Sequence, residues 1–315
     1  MPITNYPNGF SHGVTIRGVP ITMTNPGKVF WVNGTTVIAD SGSGGSNAAP
    51  GTYQRPFSTI DFAIGKCTAS RGDIIMVMPG HTETISAAGG IALDVAGVAI
   101  IGLGRGSLRP NITLDTATTA TFLMSAANTL LHNVILTANF ADIVRMIDVT
   151  AAEAYISNVE FVAAATNMNW LDCIGVSGAD DSADGLTVVD CRAFGVDAAN
   201  NGFMLIANNI NRMTVENNVV VHDHASATAF ITHTTGGIML NAMIRNNAYS
   251  SLLTAVDAIV NNSVTTNTGF AIDNKASHAD TAAEVLVDAD GLGLFNNTGS
   301  GVITASGYVL PAIDS

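Results

Sequence analysis

The chain has 315 residues, 47% of them apolar and 12% charged, with a formal net charge of −13 and three lysines. That excess of carboxylate repels phosphate backbones and anionic lipid headgroups, so neither nucleic acid nor an acidic membrane surface is an expected partner. No apolar run approaches the roughly 20 residues a membrane helix needs. The opening residues also lack the charged and apolar regions of a secretion signal.

Residues 1–28 come first in chain order. Apolar Ile3, Tyr6, Phe10, Val14, Ile16, Val19, Ile21 and Met23 are interrupted by Pro2, Pro7 and Pro20. Such a segment is too broken for a helix or a core of its own. We read it as an extended arm in which Ile3, Tyr6, Phe10, Ile16, Val19 and Ile21 dock on a partner. Residues 29–89 then form an entry module. Its Gly/Ser-rich loop, 40–56, precedes a short amphipathic helix with Ile60, Ala63, Ile64 and Cys67 on one face. Ser58 followed by Asp61 reads as its capping box. After the helix, GDIIMVMPG (72–80) is a buried strand closed by a Pro-Gly turn. No phosphate-cradling glycine loop follows it. Cys67, Cys173 and Cys191 form no CxxC pair and read as buried free thiols.

The order VFWVNG, DSGSGGSNAAPGTYQRPFSTIDFAIG, RGDIIMVMPGHTETI, residues 29–85, resembles the entry module of pectin-lyase-like right-handed β-helix proteins. That resemblance covers about a fifth of the chain and implies fold more than activity. Residues 1–28 resemble the N-terminal arms of tailed-bacteriophage virion proteins.

Residues 90–275 hold a repeat. LHNVIL, ISNVEF, VVDCRA, VENNVV and IRNNAY place Asn or Asp at Asn133, Asn158, Asp190, Asn217 and Asn246, separated by 25, 32, 27 and 29 residues. A step of 13 from each reaches Met146, Leu171, Phe203, Phe230 and Ile259, all apolar, whereas the return leg varies. A constant arc with a variable one is the signature of a solenoid, here an all-β, right-handed parallel β-helix with a cap helix and an extended arm. The five Asn/Asp positions read as a ladder of stacked side chains at one turn.

Chemistry is sparse along this period. Lyases resembling this fold use Ca²⁺ held by carboxylates plus an arginine base, and its hydrolases use paired aspartates. Positions 14 and 15 past each ladder residue stack no two acids, and the hydrolase signatures Asn-Thr-Asp, Gly-His-Gly and Arg-Ile-Lys are absent. One cluster remains, Asp197 with Asp223 and His224 a coil later, as candidate catalytic groups. Asp180, Asp181 and Asp184 lie in the longest return leg without an EF-hand spacing and read as an acidic loop tip. Few aromatics are available for gripping sugars.

The tail, 276–315, has lost the 13-residue step and reads as a C-terminal cap or subunit contact. The leading expectation is a non-enzymatic structural protein of the virion. It would be a capsid decoration (cement) protein on the outer surface, bound to the major capsid protein, trimeric and without a cofactor. The alternative is a tailspike or depolymerase acting on bacterial polysaccharide through Asp197, Asp223 and His224.

Overall fold

The structure is a computed structural model. It describes residues 27–34, 44–195, 202–222, 230–233, 237–251, 257–262, 266–277 and 285–300, together with the short strands Thr15–Ile16, Val19–Pro20 and Leu310–Pro311. The chain is a right-handed parallel β-helix. Its coils stack into three sheets of ten, ten and eight strands. The first sheet starts at Val29–Val32 and Ile74–Val77 and ends at Leu292–Phe295. The second runs from Thr82–Ile85 to Thr298–Ser300, with Leu310–Pro311 added antiparallel. The third runs from Ile91–Leu93 to Val285–Ala289.

From the Leu130–His132 strand onward, each coil turns from the first sheet into the second at one residue in the left-handed region. Asn133, Asn158, Asp190, Asn217, Asn246, Asp273 and Asn296 occupy it, with φ between 52° and 60°. Asn and Asp tolerate that conformation better than other side chains with a Cβ, which is why they recur there. Strands alternate in-facing aliphatic with out-facing residues, as in Asn111–Leu114, where Ile112 and Leu114 are buried and Asn111 and Thr113 face outward.

The third sheet places Met146, Cys173, Phe203, Phe230 and Ile259 in one buried column. The Phe203 and Phe230 rings stack 5.0 Å apart at 4°. This corrects the 13-residue step at one coil, where Cys173 and not Leu171 holds the position. The connection between the Glu160–Ala163 and Trp170–Val176 strands is two residues longer than its counterpart one coil earlier. A second correction concerns the tail. Asp273 opens another coil, Val260 pairs with Val287, and strands continue to Thr298–Ser300. Much of 276–300 is therefore further solenoid.

The entry module closes the start of the rod. The helix Ile60–Ile64 buries Ile60, Ala63 and Ile64. No capping box forms. The Ser58 hydroxyl donates to Asn47 Oδ1 at 2.8 Å, while the Ile60 N–H donates to Glu83 Oε2 at 2.9 Å. With only one turn of helix, the free N–H groups are met by the neighbouring strand instead of by their own segment. Asp61 accepts from the Ala92 N–H at 3.2 Å and so occupies the open edge of the third sheet.

Two buried ionisable side chains pin the module. Fully buried His81 accepts the Gly34 N–H on Nδ1 at 2.7 Å, so its proton sits on Nε2 and is donated to Glu83 at 3.1 Å. Asp73 accepts from the backbone of Lys28 and Thr68 and from Arg71 Nε, at 2.6, 2.8 and 2.7 Å. Burial pushes its carboxyl pKa up, but those bonds outweigh burial and hold it below the ordinary range.

Of the arm, the described residues are the antiparallel pair Thr15–Ile16 and Val19–Pro20, together with Gly27 and Lys28. The docking residues Ile3, Tyr6, Phe10 and Ile21, and the side chains of Ile16 and Val19, lie outside the described set. No helix among the described residues is long and apolar enough to cross a membrane.

Candidate functional site

The cluster read from the sequence, Asp197, Asp223 and His224, lies outside the described residues. The turn residues are described. Asn158 donates to Asn133 Oδ1 at 2.8 Å, and Asn133 donates to the Gly102 carbonyl at 2.7 Å. Asn296 likewise donates to Asp273 at 2.6 Å.

The continuous buried ladder stands one residue further on, at Asn218, Asn247, Asn274 and Asn297. Asn247 shows the pattern. Its Oδ1 accepts from the Asn218 backbone and side-chain amides at 3.0 and 2.9 Å. Its Nδ2 donates to the Val215 carbonyl at 3.0 Å and to Asn274 Oδ1 at 2.9 Å. Interior amides are tolerated because each side-chain donor and acceptor is used. The signal in the sequence was the doublet, ENN, RNN, IDN and FNN, whose second member points inward.

The acidic loop is bound up in its neighbours. Asp180 and Asp184 accept from the backbone N–H groups of Asn209 and Asn211, each at 2.9 Å. They act as caps for the next coil. Among the described residues, no group of three or more His, Cys, Asp or Glu side chains is arranged to hold a metal.

The third sheet does bring together groups that sequence spacing kept apart. Arg145 pairs in register with Asp172 on the next coil, and Asp148 lies on the same strand as Arg145. The Arg145 Nη1 is 3.9 Å from Asp148 Oδ2, which also accepts from the Ser177 hydroxyl at 2.7 Å. Gly175 makes room for the guanidinium arm: a Cβ there would sit 1.9 Å from Arg145 Cδ. Arg145 Nε and Asp148 Oδ1 are buried and have no hydrogen-bond partner. Asp172 is 5% exposed, and burial raises its pKa to about 7, against the opposing pull of Arg145 and the Gly202 N–H. A carboxyl titrating near neutrality beside a guanidinium can hold or release a proton at working pH. The two-residue lengthening before Trp170 hid this pairing, because a fixed step misaligns Asp172 with Ile147.

No protein-family model matches the sequence. No curated protein matches it either. Among solved structures, the chain is similar to one described as a rhamnogalacturonan lyase, with a TM-score of 0.52 and 12% identity over 91% of this chain and 80% of that one. At this identity the likeness bears on the fold, a pectin-lyase-like β-helix.

Proposed function

We propose that this chain is a structural protein of a bacteriophage particle, a decoration protein that binds the outer capsid surface and stiffens it. The observation that carries the reading is the investment of the sequence in a rigid rod. Three sheets stack in parallel from the first coils to the last, with one register shift between Asp257 and Val260, and the later coils are locked by an amide ladder. A charge of −13 suits an outer face held away from packaged DNA. The apolar, proline-broken 1–28 segment suits attachment, with the major capsid protein as partner and a trimer as the working assembly. Copy number in purified virions tests the reading: hundreds of copies per particle support it, a few tens or none refute it. Removing residues 1–28 should leave a folded rod that no longer associates with particles.

A second reading rests on Arg145, Asp148 and Asp172 together with the likeness to a polysaccharide lyase. In it the chain cleaves an acidic polysaccharide, with Asp172 exchanging a proton and Arg145 holding the developing negative charge. Incubation with rhamnogalacturonan or host capsule, followed by ultraviolet absorbance of an unsaturated product, decides it. Activity lost in Arg145→Lys and Asp172→Asn would displace the structural reading.

A further inference from the structure

The scaffold does not require the basic groove at the edge of the second sheet. Between the Ala99–Gly102 and Asn111–Leu114 strands the chain makes a tight excursion, with Gly104 and Gly106 at φ of 98° and 55°. Its residues Arg105 and Arg109 join Asn133, Asn158, Glu160 and Arg192 around a cavity of about 350 Å³. Three of the chain's 12 basic residues therefore meet in one place. Arg109 is paired with Glu160, whereas Arg105 and Arg192 have no carboxylate partner among the described residues. The Arg109 pKa is lowered by burial and then by the charge of Arg192. Three guanidiniums against one carboxylate leave this groove positive on a strongly acidic molecule.

The same outward face continues as an apolar strip. Arg192 stands in register between Glu160 and Val219, and Phe194 between Val162 and Val221. Phe194, Val219 and Val221 are 39%, 38% and 43% exposed. A free anion would use the arginines and leave these side chains in water. Arginine beside an aromatic and β-branched residues is the composition of a protein contact. The acidity elsewhere on the molecule would keep an acidic ligand off other faces.

The geometry points to this face as the docking site for a protein segment that presents one or two carboxylates beside apolar side chains. The carboxylates enter the groove of Arg105, Arg109 and Arg192, and the apolar side chains lie on Phe194, Val219 and Val221. This inference rests on the structural reading above and names the chemistry of the partner.

The test titrates the full-length protein into a fluorescein-labelled peptide of alternating glutamate and leucine, read by fluorescence anisotropy. Saturable binding is expected, weakening with added salt, about tenfold in Arg192→Glu and severalfold in Phe194→Ser. Arg245→Glu, a charge reversal on the first sheet, should bind as the parent does. Circular dichroism confirms that each variant is folded; Arg105→Glu, on the excursion, reads the same groove should Arg192→Glu fail to fold. Equal binding by Arg192→Glu, or no saturation, overturns the proposal. Tighter competition by oligogalacturonate than by unlabelled peptide also overturns it, since the groove would then serve a sugar acid. Peptide binding without particle association would leave the docking site standing and sink the particle reading. Particle association that ignores Arg192→Glu would do the reverse.

Discussion

The groove just past the left-handed turn is filled in two different ways along the rod. In the earlier coils Val134, Val159 and Cys191 occupy it; in the later ones Asn218, Asn247, Asn274 and Asn297 do. The two solutions meet where the Cys191 N–H donates to Asn218 Oδ1 at 2.9 Å. The aliphatic solution is local, since each side chain contributes its own transfer from water. The amide solution is collective, since each Asn is satisfied only by its neighbours on adjacent coils. The earlier half also holds its interior polar groups differently: Asp172 is ionisable, whereas the ladder is neutral.

The largest expected effect comes from breaking the ladder in its middle. Asn247→Val removes the acceptor of two Asn218 donors and the donor to the Val215 carbonyl. A loss of about 4 kcal/mol is expected, at about 1–2 kcal/mol per stranded buried group, seen as a lower urea midpoint. An indifferent midpoint would mean that water or repacking replaces the ladder.

Next is the titratable half. The folded Asp172 carboxyl titrates near 7 against an ordinary 3.8, so the folded chain holds the extra proton between those values. Its contribution to stability is whole below about pH 4 and is lost as pH rises through 7, on the order of 4 kcal/mol in all. Comparing pH 5 with pH 8, Asp172→Asn should flatten this part of the stability profile. Asn247→Val should shift the profile without changing its slope.

The smallest effect is expected at the junction. Asn218→Val extends the aliphatic solution by one coil, at a cost of about 3 kcal/mol for the stranded Cys191 N–H and Val188 carbonyl. A cost as large as that at Asn247 would refute the distinction between the two halves.

The period of this rod was legible because left-handed turns select Asn and Asp, and stacked strands repeat their in-facing aliphatics. Phe203 and Phe230 were placed in the core by that period, and both are fully buried. Leu171 was misplaced because two extra residues entered a connection, and connections leave no periodic trace. The ladder was read one residue early: the turn position is Asn-rich for backbone reasons, whereas the inward position varies from Val to Cys to Asn. Asp273 and Asn296 extend the same turn pattern, since IDNKAS and LFNNTG repeat it near the end of the chain.

By itself the sequence determined the solenoid, its turn residues and its entry module, since local conformational preference and periodic burial leave their mark residue by residue. Only the tertiary structure decided which side chains become neighbours across coils. Arg145 beside Asp172, and Arg105 and Arg109 beside Arg192, are long-range pairings. Stacking brings coils to about 4.8 Å whatever length of chain lies between them, so register, and not spacing along the sequence, sets which charges meet.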